Sequence, residues 1–148
     1  MQVQLSTEFA LHGLLYLAAN SGRRPIQLPE IAQAIRVRES YLRKLFQQLV
    51  RAGLVDAYRG AAGGYSLKRD PEEISLHDVL AAVEGTADLY RCYAEQRSCR
   101  VARPCPIRGA FAQAYDNFRK SLSRTTLASL LHGEALQSED VEWLHAPV

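Results

Sequence analysis

LPEIAQAIRVRESYLRKLFQQLVRAGLVDAYRGAAGGYSL, residues 28–67, carries the pattern that decides the fold. It opens with Leu28, Ile31, Ala32 and Ile35 at helical spacing on one face, and Pro29 falls in the first turn, where a helix tolerates it. This predicts a short helix over 28–35. Arg36 and Val37 form a brief connection, and Leu42, Leu45, Phe46 and Leu49 then mark the apolar stripe of a helix over 39–52, stopped by Gly53. Two short helices joined by a tight turn are a helix-turn-helix. Leu54–Tyr58 and Tyr65–Leu67 read as short strands around the turn Arg59-Gly60-Ala61-Ala62-Gly63-Gly64. A β-hairpin directly after a helix-turn-helix is a wing.

Towards the N-terminus, Leu11, Leu14, Leu15 and Ala18 predict a first helix, begun by a Ser6 or Thr7 cap and ending near Asn20, with Gly22 in the following loop. Towards the C-terminus, the loop signal Arg69-Asp70-Pro71 precedes a short helix over 75–83. A segment over 84–105 lacks clear periodicity and holds all three cysteines. From Pro106 to about Ser123, Ile107, Phe111, Ala114, Phe118 and Leu122 recur every three or four residues. That narrow apolar seam suits a helix from a second copy, although it would also serve an intramolecular contact. A short helix over 126–131 ends at Gly133, and the tail has Trp143 as its large apolar anchor. The expected fold class is mostly α. The predicted organisation is a winged helix-turn-helix over 1–83, a cysteine-containing loop over 84–105, a long dimerisation helix with a short following helix over 106–132, and a tail over 133–148.

The chain has 148 residues, enough for one compact domain with an attached helix. No apolar run approaches the roughly 18 residues of a membrane span. MQVQLSTEFALHG lacks the basic and apolar regions of a secretion signal, so the expected location is cytoplasmic, with no membrane partner. The net charge of +2 is too small to indicate a nucleic-acid partner by itself. Its distribution says more. Arg36, Arg38, Arg43, Lys44, Arg51 and Arg59 face only Glu39 and Asp56 within the same stretch, a basic footprint suited to releasing counterions from DNA phosphates.

On the predicted recognition helix, Ser40, Lys44, Gln47 and Arg51 lie opposite the apolar stripe, with Arg43 and Gln48 at the margins. Base reading falls to the start of such a helix, so Arg38, Ser40, Tyr41, Arg43, Lys44 and Gln47 are the candidate DNA contacts. Arginine reads guanine bidentately, whereas Ser40 and Tyr41 suit phosphates. In the wing, Arg59 is placed for a minor groove, and Gly60 and Gly63 permit close approach to a sugar-phosphate backbone. A nucleotide-cradling P-loop is excluded, because no Lys-Ser or Lys-Thr pair closes the glycine run and no helix follows it.

Cys92, Cys99 and Cys105 form C-x6-C-x5-C. Thiolates are the ligands of iron–sulfur clusters, and clustered cysteines in a cytosolic protein point to metal or redox chemistry more than to a structural disulfide. Idle thiols, or one disulfide with a cysteine left over, are the alternatives. Cys105 precedes Pro106 at a predicted helix N-terminus, which favours an anionic ligand.

Taken in order, several motifs carry a family resemblance. They are Glu8-Phe-Ala-Leu-His-Gly-Leu-Leu-Tyr-Leu-Ala18, then Ser40-Tyr41-Leu42 with Leu45-Phe46, then Gly53-Leu54-Val55, then Arg59-Gly60 with Gly63-Gly64-Tyr65, and finally the cysteines. Over about residues 1–132 the chain resembles the winged-helix regulator family of IscR, NsrR and RsrR. The resemblance implies a homodimer whose long helices cross, and double-stranded DNA with a palindromic operator as partner. It also implies an iron–sulfur cluster, two-iron or four-iron, held by Cys92, Cys99 and Cys105. IscR-like members complete their site with a histidine three residues after the last cysteine, and this chain has Arg108 there. Glu8 falls where NsrR-like members carry a ligating aspartate from the other subunit, and Glu8 with His12 resembles the protein-side pair of RsrR. As residues alone, Glu8 is also a first-turn acid favoured by the helix dipole and His12 a surface side chain. IscR-like members carry glutamate where this chain has Arg43, which implies a different base preference, shifted towards guanine.

The expected function is therefore a homodimeric DNA-binding transcription regulator, a repressor, sensing redox state, nitric oxide or iron–sulfur status through its cluster. A cluster-free regulator controlled by thiol oxidation, zinc or a protein partner is the alternative. No Cys-x-x-Cys motif supports a thiol enzyme, so no catalytic activity is expected.

Overall fold

The computed structural model describes residues 3–23, 25–85, 105–133 and 139–144. The element order is α1 (Leu5–Ala19), α2 (Leu28–Ala34), α3 (Glu39–Arg51), β1 (Val55–Tyr58), β2 (Gly64–Leu67), α4 (Leu76–Glu84), α5 (Pro106–Arg124) and α6 (Leu127–Leu131), with short 3-10 turns at Pro71–Glu73 and Glu139–Leu144. The fold is mostly helical with one two-stranded antiparallel hairpin, the expected winged helix-turn-helix with a long helix behind it.

Helix α1 is the axle of the domain. It packs against α2, α3, α4, α6, β2 and the Glu139–Leu144 turn, so Gly13 to Ala18 are buried in succession rather than along one stripe. At Gly13 the approach to α3 is so close that an added Cβ would stand 2.8 Å from the Phe46 ring. Phe46, Leu42 and Leu49 of α3 fill the core with Leu14, Tyr16 and Ile31. Burying side chains of this size stabilises by roughly 2 kcal/mol each, which fixes how α3 is held. Tyr16 adds a polar tie: its buried hydroxyl donates to Glu30 Oε1 at 2.7 Å, and Arg23 pairs with the same carboxylate. Burial, and then the Glu30 carboxylate, push the Tyr16 phenol up to about 12.

The expected Ser6 or Thr7 cap of α1 is corrected. Gln4 is the N-cap and makes no side-chain cap bond. Glu84, at the far end of α4, supplies the acceptor instead, taking the Gln4 backbone N–H at 2.8 Å and the Thr7 hydroxyl at 2.5 Å. A side chain remote in sequence thus does the work of a local cap. By contrast, α4 and α6 carry reciprocal capping boxes, Ser75 with Asp78 and Thr126 with Ser129, so those two helices begin one residue later than expected.

The wing runs in register Val55↔Leu67 to Tyr58↔Gly64. Ile26 adds a third rung, exchanging backbone hydrogen bonds with Tyr65 at 2.9 and 2.8 Å. Gly64 makes this possible: at φ +152° a Cβ would lie 2.3 Å from the Ile26 carbonyl oxygen. The loop before α2 therefore stitches the wing to the helix-turn-helix.

The α5 seam and the tail are placed as follows. Ile107 and Phe111, in the first half of the α5 seam, are exposed in the single chain, whereas Phe118 and Leu122 are half-buried. The tail is anchored by more than Trp143, since Val141 and Leu144 are buried in the core and Asn20 Nδ2 donates to the Leu144 carbonyl at 2.8 Å.

Candidate nucleic-acid interface

Helix α3 divides cleanly. Leu42, Leu45, Phe46 and Leu49 face the core, while Ser40, Tyr41, Arg43, Lys44, Gln47 and Arg51 are exposed, as is Arg38 at the N-cap. Each sequence-predicted recognition residue thus lies on the outward side of the helix or at its start. Tyr41 is steadied by Phe9 of α1, their rings meeting edge to face with centroids 6.0 Å apart. Arg43 pairs with Glu39 across one turn of the exposed face.

Arg38, Lys44, Arg51 and Arg59 make no ion pair among the described residues, unlike Arg43, Lys68 and Arg69. Exposed cations without a neighbouring carboxylate suit polyanion binding. In the wing, Arg59 and Gly60 are exposed at the turn, and Gly60 takes a left-handed φ of +98° that glycine adopts without penalty. Gly63, the other wing glycine singled out in the sequence, lies inside the turn. It is buried beneath the hairpin, where a Cβ would stand 2.3 Å from the Tyr58 carbonyl oxygen, so it shapes the turn rather than its outer tip.

An open groove of about 440 Å³ lies at the base of α3, lined by Phe9, Arg36, Val37, Arg38, Ser40, Tyr41 and Lys44. Arg36 belongs to the basic footprint legible in the sequence but not to the candidate contacts, and Phe9 belongs to neither. Helical periodicity on α1 gives no sign that Phe9 reaches Tyr41.

Of the candidate metal ligands, Cys92 and Cys99 lie outside the described residues. Cys105 is a free, half-buried thiol at the N-cap of α5. Glu8 is exposed on α1, and His12, one turn on, is half-buried against Trp143 with ring centroids 4.9 Å apart. Among the described residues, no three His, Cys, Asp or Glu side chains gather into a metal-binding group. A single copy's described residues therefore do not bring Glu8, His12 and Cys105 together. No helix among them is long and apolar enough to cross a membrane.

An apolar-backed recognition helix, an adjoining wing and an exposed, mostly cationic outward side define a winged helix-turn-helix DNA-binding regulator. The chain belongs to the Rrf2 family, iron-dependent transcriptional regulators, whose profile matches residues 3–133. It is 32% identical over 136 residues to the HTH-type transcriptional regulator NsrR of Geobacillus kaustophilus, across 91% of this chain and 92% of that protein. It is 30% identical over 146 residues to the HTH-type transcriptional regulator IscR of Citrobacter koseri, across 98% of this chain and 89% of that protein. Among solved structures it is similar to CymR, the global cysteine regulator of B. subtilis, with a TM-score of 0.72 and 29% identity over 88% of this chain and 95% of that one. These relatives are regulators, not enzymes.

Proposed function

We propose that this protein is a homodimeric repressor that reads a palindromic operator with α3 and the wing, and whose affinity is set by an iron–sulfur cluster. The observation that carries the DNA reading is the outward face of α3, where Arg38 and Lys44 are exposed and make no ion pair among the described residues, with Arg59 exposed in the wing. The exposed Ile107 and Phe111 on α5 support pairing with a second copy, because large apolar side chains left at a helix surface favour burial against a partner.

For the cluster, the donor set is chemically suitable: Cys92, Cys99 and Cys105 offer thiolates, and Glu8 or His12 of a second copy would offer the remaining oxygen or nitrogen ligand. A bound cluster supplies a redox- and nitric-oxide-sensitive group. The chain's own residues supply the transmission. Glu84 ties the end of α4, just before the cysteine loop, to the first turn of α1, and Phe9 of that helix braces Tyr41 on α3. A change in the loop is thereby felt at the recognition helix, and in a dimer it alters the spacing of two such helices relative to one turn of DNA.

A second reading keeps the fold and drops the cluster, with thiol oxidation as the control. One observation favours it: a solved relative is a cysteine regulator. The visible absorption and iron content of anaerobically purified protein, measured alongside operator affinity, decide between them. Coloured, iron-bearing protein whose affinity changes on cluster loss supports the first reading. Colourless protein whose affinity changes with thiol oxidation supports the second. Equal affinity in every state removes both.

A further inference from the structure

Arg36 sits at the turn between α2 and α3 with φ +55°, the sole non-glycine residue at positive φ among the described residues. A β-carbon is strained there, and glycine or asparagine is the residue that relieves it. The turn is closed by backbone bonds alone, Arg36 N–H to Gln33 O at 3.2 Å and Val37 N–H to Ala32 O at 2.9 Å. Arg36 is exposed and forms no ion pair among the described residues. The left-handed φ caps the end of α2, and because glycine or asparagine would hold it with less strain, an arginine here motivates a hypothesis of function.

The side chain lines the groove at the base of α3 together with Arg38, Tyr41 and Lys44, and among the described residues no acidic side chain lines it. Three cations thus surround one open recess flanking the helix face that reads bases. We propose that Arg36 anchors a DNA backbone phosphate in this recess, fixing the depth and tilt of α3 in the major groove. The planar guanidinium fork matches two phosphate oxygens, and its place before the helix, rather than on the outward face, suits a flanking phosphate rather than a base edge. This rests on the DNA-binding reading above and extends it to a residue and a contact type.

The test uses the full chain as wild type, Arg36→Gly and Arg36→Gln, with Arg124→Gln as an exposed charge control. Binding is followed by fluorescence anisotropy over a salt series. The probes are a labelled duplex of about thirty base pairs selected from a random pool by the wild type and a scrambled duplex of equal length. Both Arg36 variants are expected to lose about tenfold on both duplexes, with the slope of log affinity against log salt reduced by about one, while Arg124→Gln changes neither. Arg36→Gly is expected to unfold at the same or a higher temperature than the wild type, because it releases the left-handed strain. Wild-type affinity and slope in the Arg36 variants overturn the proposal while leaving DNA binding intact. A lowered melting temperature accompanying the loss makes Arg36 structural and overturns it too. Loss confined to the selected duplex assigns Arg36 to base reading instead. If inorganic phosphate raises the wild-type melting temperature while the variants keep wild-type DNA slopes, the recess takes a free anion rather than DNA. A wild type that binds neither duplex removes both this proposal and the reading beneath it.

Discussion

The indole of Trp143 packs on the imidazole of His12, with ring centroids 4.9 Å apart and planes inclined by 53°. One of the two α1 ligand candidates is thus held by the chain's own tail, while Glu8, one turn away, is exposed. His12 could ligate through a ring nitrogen only in an orientation that this ring contact constrains, whereas the exposed Glu8 carboxylate is free to turn. The expected outcome is that Glu8→Ala abolishes or alters the visible spectrum of the purified protein and His12→Ala leaves it. Trp143 is the only tryptophan, so its emission reports the contact directly. His12→Ala should shift that emission to the red and lower stability by about 1 kcal/mol. A spectrum lost in His12→Ala and kept in Glu8→Ala would reverse the assignment.

Glu84 stands in for the missing cap of α1. Glu84→Ala leaves the Gln4 amide and the Thr7 hydroxyl without their acceptor and should lower unfolding free energy by about 1–2 kcal/mol in urea titration. Glu84→Gln, which keeps an acceptor oxygen, should retain roughly half of that. Because the same carboxylate joins α4 to α1, the alanine variant should also weaken DNA binding; unchanged affinity would mean that α1 does not transmit to α3.

Gly13→Ala should destabilise by roughly 1–3 kcal/mol, because the new methyl would meet the fully buried Phe46 ring at 2.8 Å and force the ring or the helix to shift. The measurement is the urea midpoint at unchanged slope. A midpoint equal to the wild type would show that α1 and α3 can separate without penalty.

These sites show what the sequence makes legible. The faces of α2 and α3 follow from spacing within a dozen residues, and the wing follows from two short runs around a glycine-rich turn. Local patterns are enough where each element buries one face. Helix α1 is buried around most of its circumference, so its stripe was incomplete and its neighbours invisible. Its cap comes from a residue 80 positions away. The Ile26 rung of the wing and the Phe9–Tyr41 contact are likewise tertiary, created only when separate elements meet. The outward residues of α3 were readable because exposure is the complement of a clear apolar stripe. The left-handed turn at Arg36 leaves no mark in composition or period.

Alkaline stability should depend on Tyr16. Its phenol is raised from an ordinary 10.0 to about 12 by burial and the Glu30 carboxylate, so ionisation is harder in the folded state than in the unfolded one. A raised pKa means the stabilisation is complete below pH 10.0 and is lost as pH climbs through about 12. The amount at stake is on the order of 2 kcal/mol. Tyr16→Phe should therefore flatten the loss of stability between those limits, followed by denaturant titration at successive pH values. A wild type and variant that decline in parallel would place the alkaline sensitivity elsewhere.

Arg43 meets its partner Glu39 on the exposed face of α3, at the point where bases would be read. A surface pair across one helical turn contributes only about 0.3–0.5 kcal/mol, so a guanine edge can draw the guanidinium away at little cost. Once Arg43 leaves, however, the Glu39 carboxylate remains near the phosphates and repels them. Glu39→Gln should therefore raise affinity for duplex DNA by a few-fold, on the order of 1 kcal/mol or less, with the gain shrinking as salt increases. Arg43→Glu should change the sequences recovered from a random pool, reducing guanine at the affected position, and weaken binding to all duplexes. Arg43→Gln separates the two effects: it removes the charge without adding a repulsion, so a guanine preference that survives in it would show that Arg43 does not read the base.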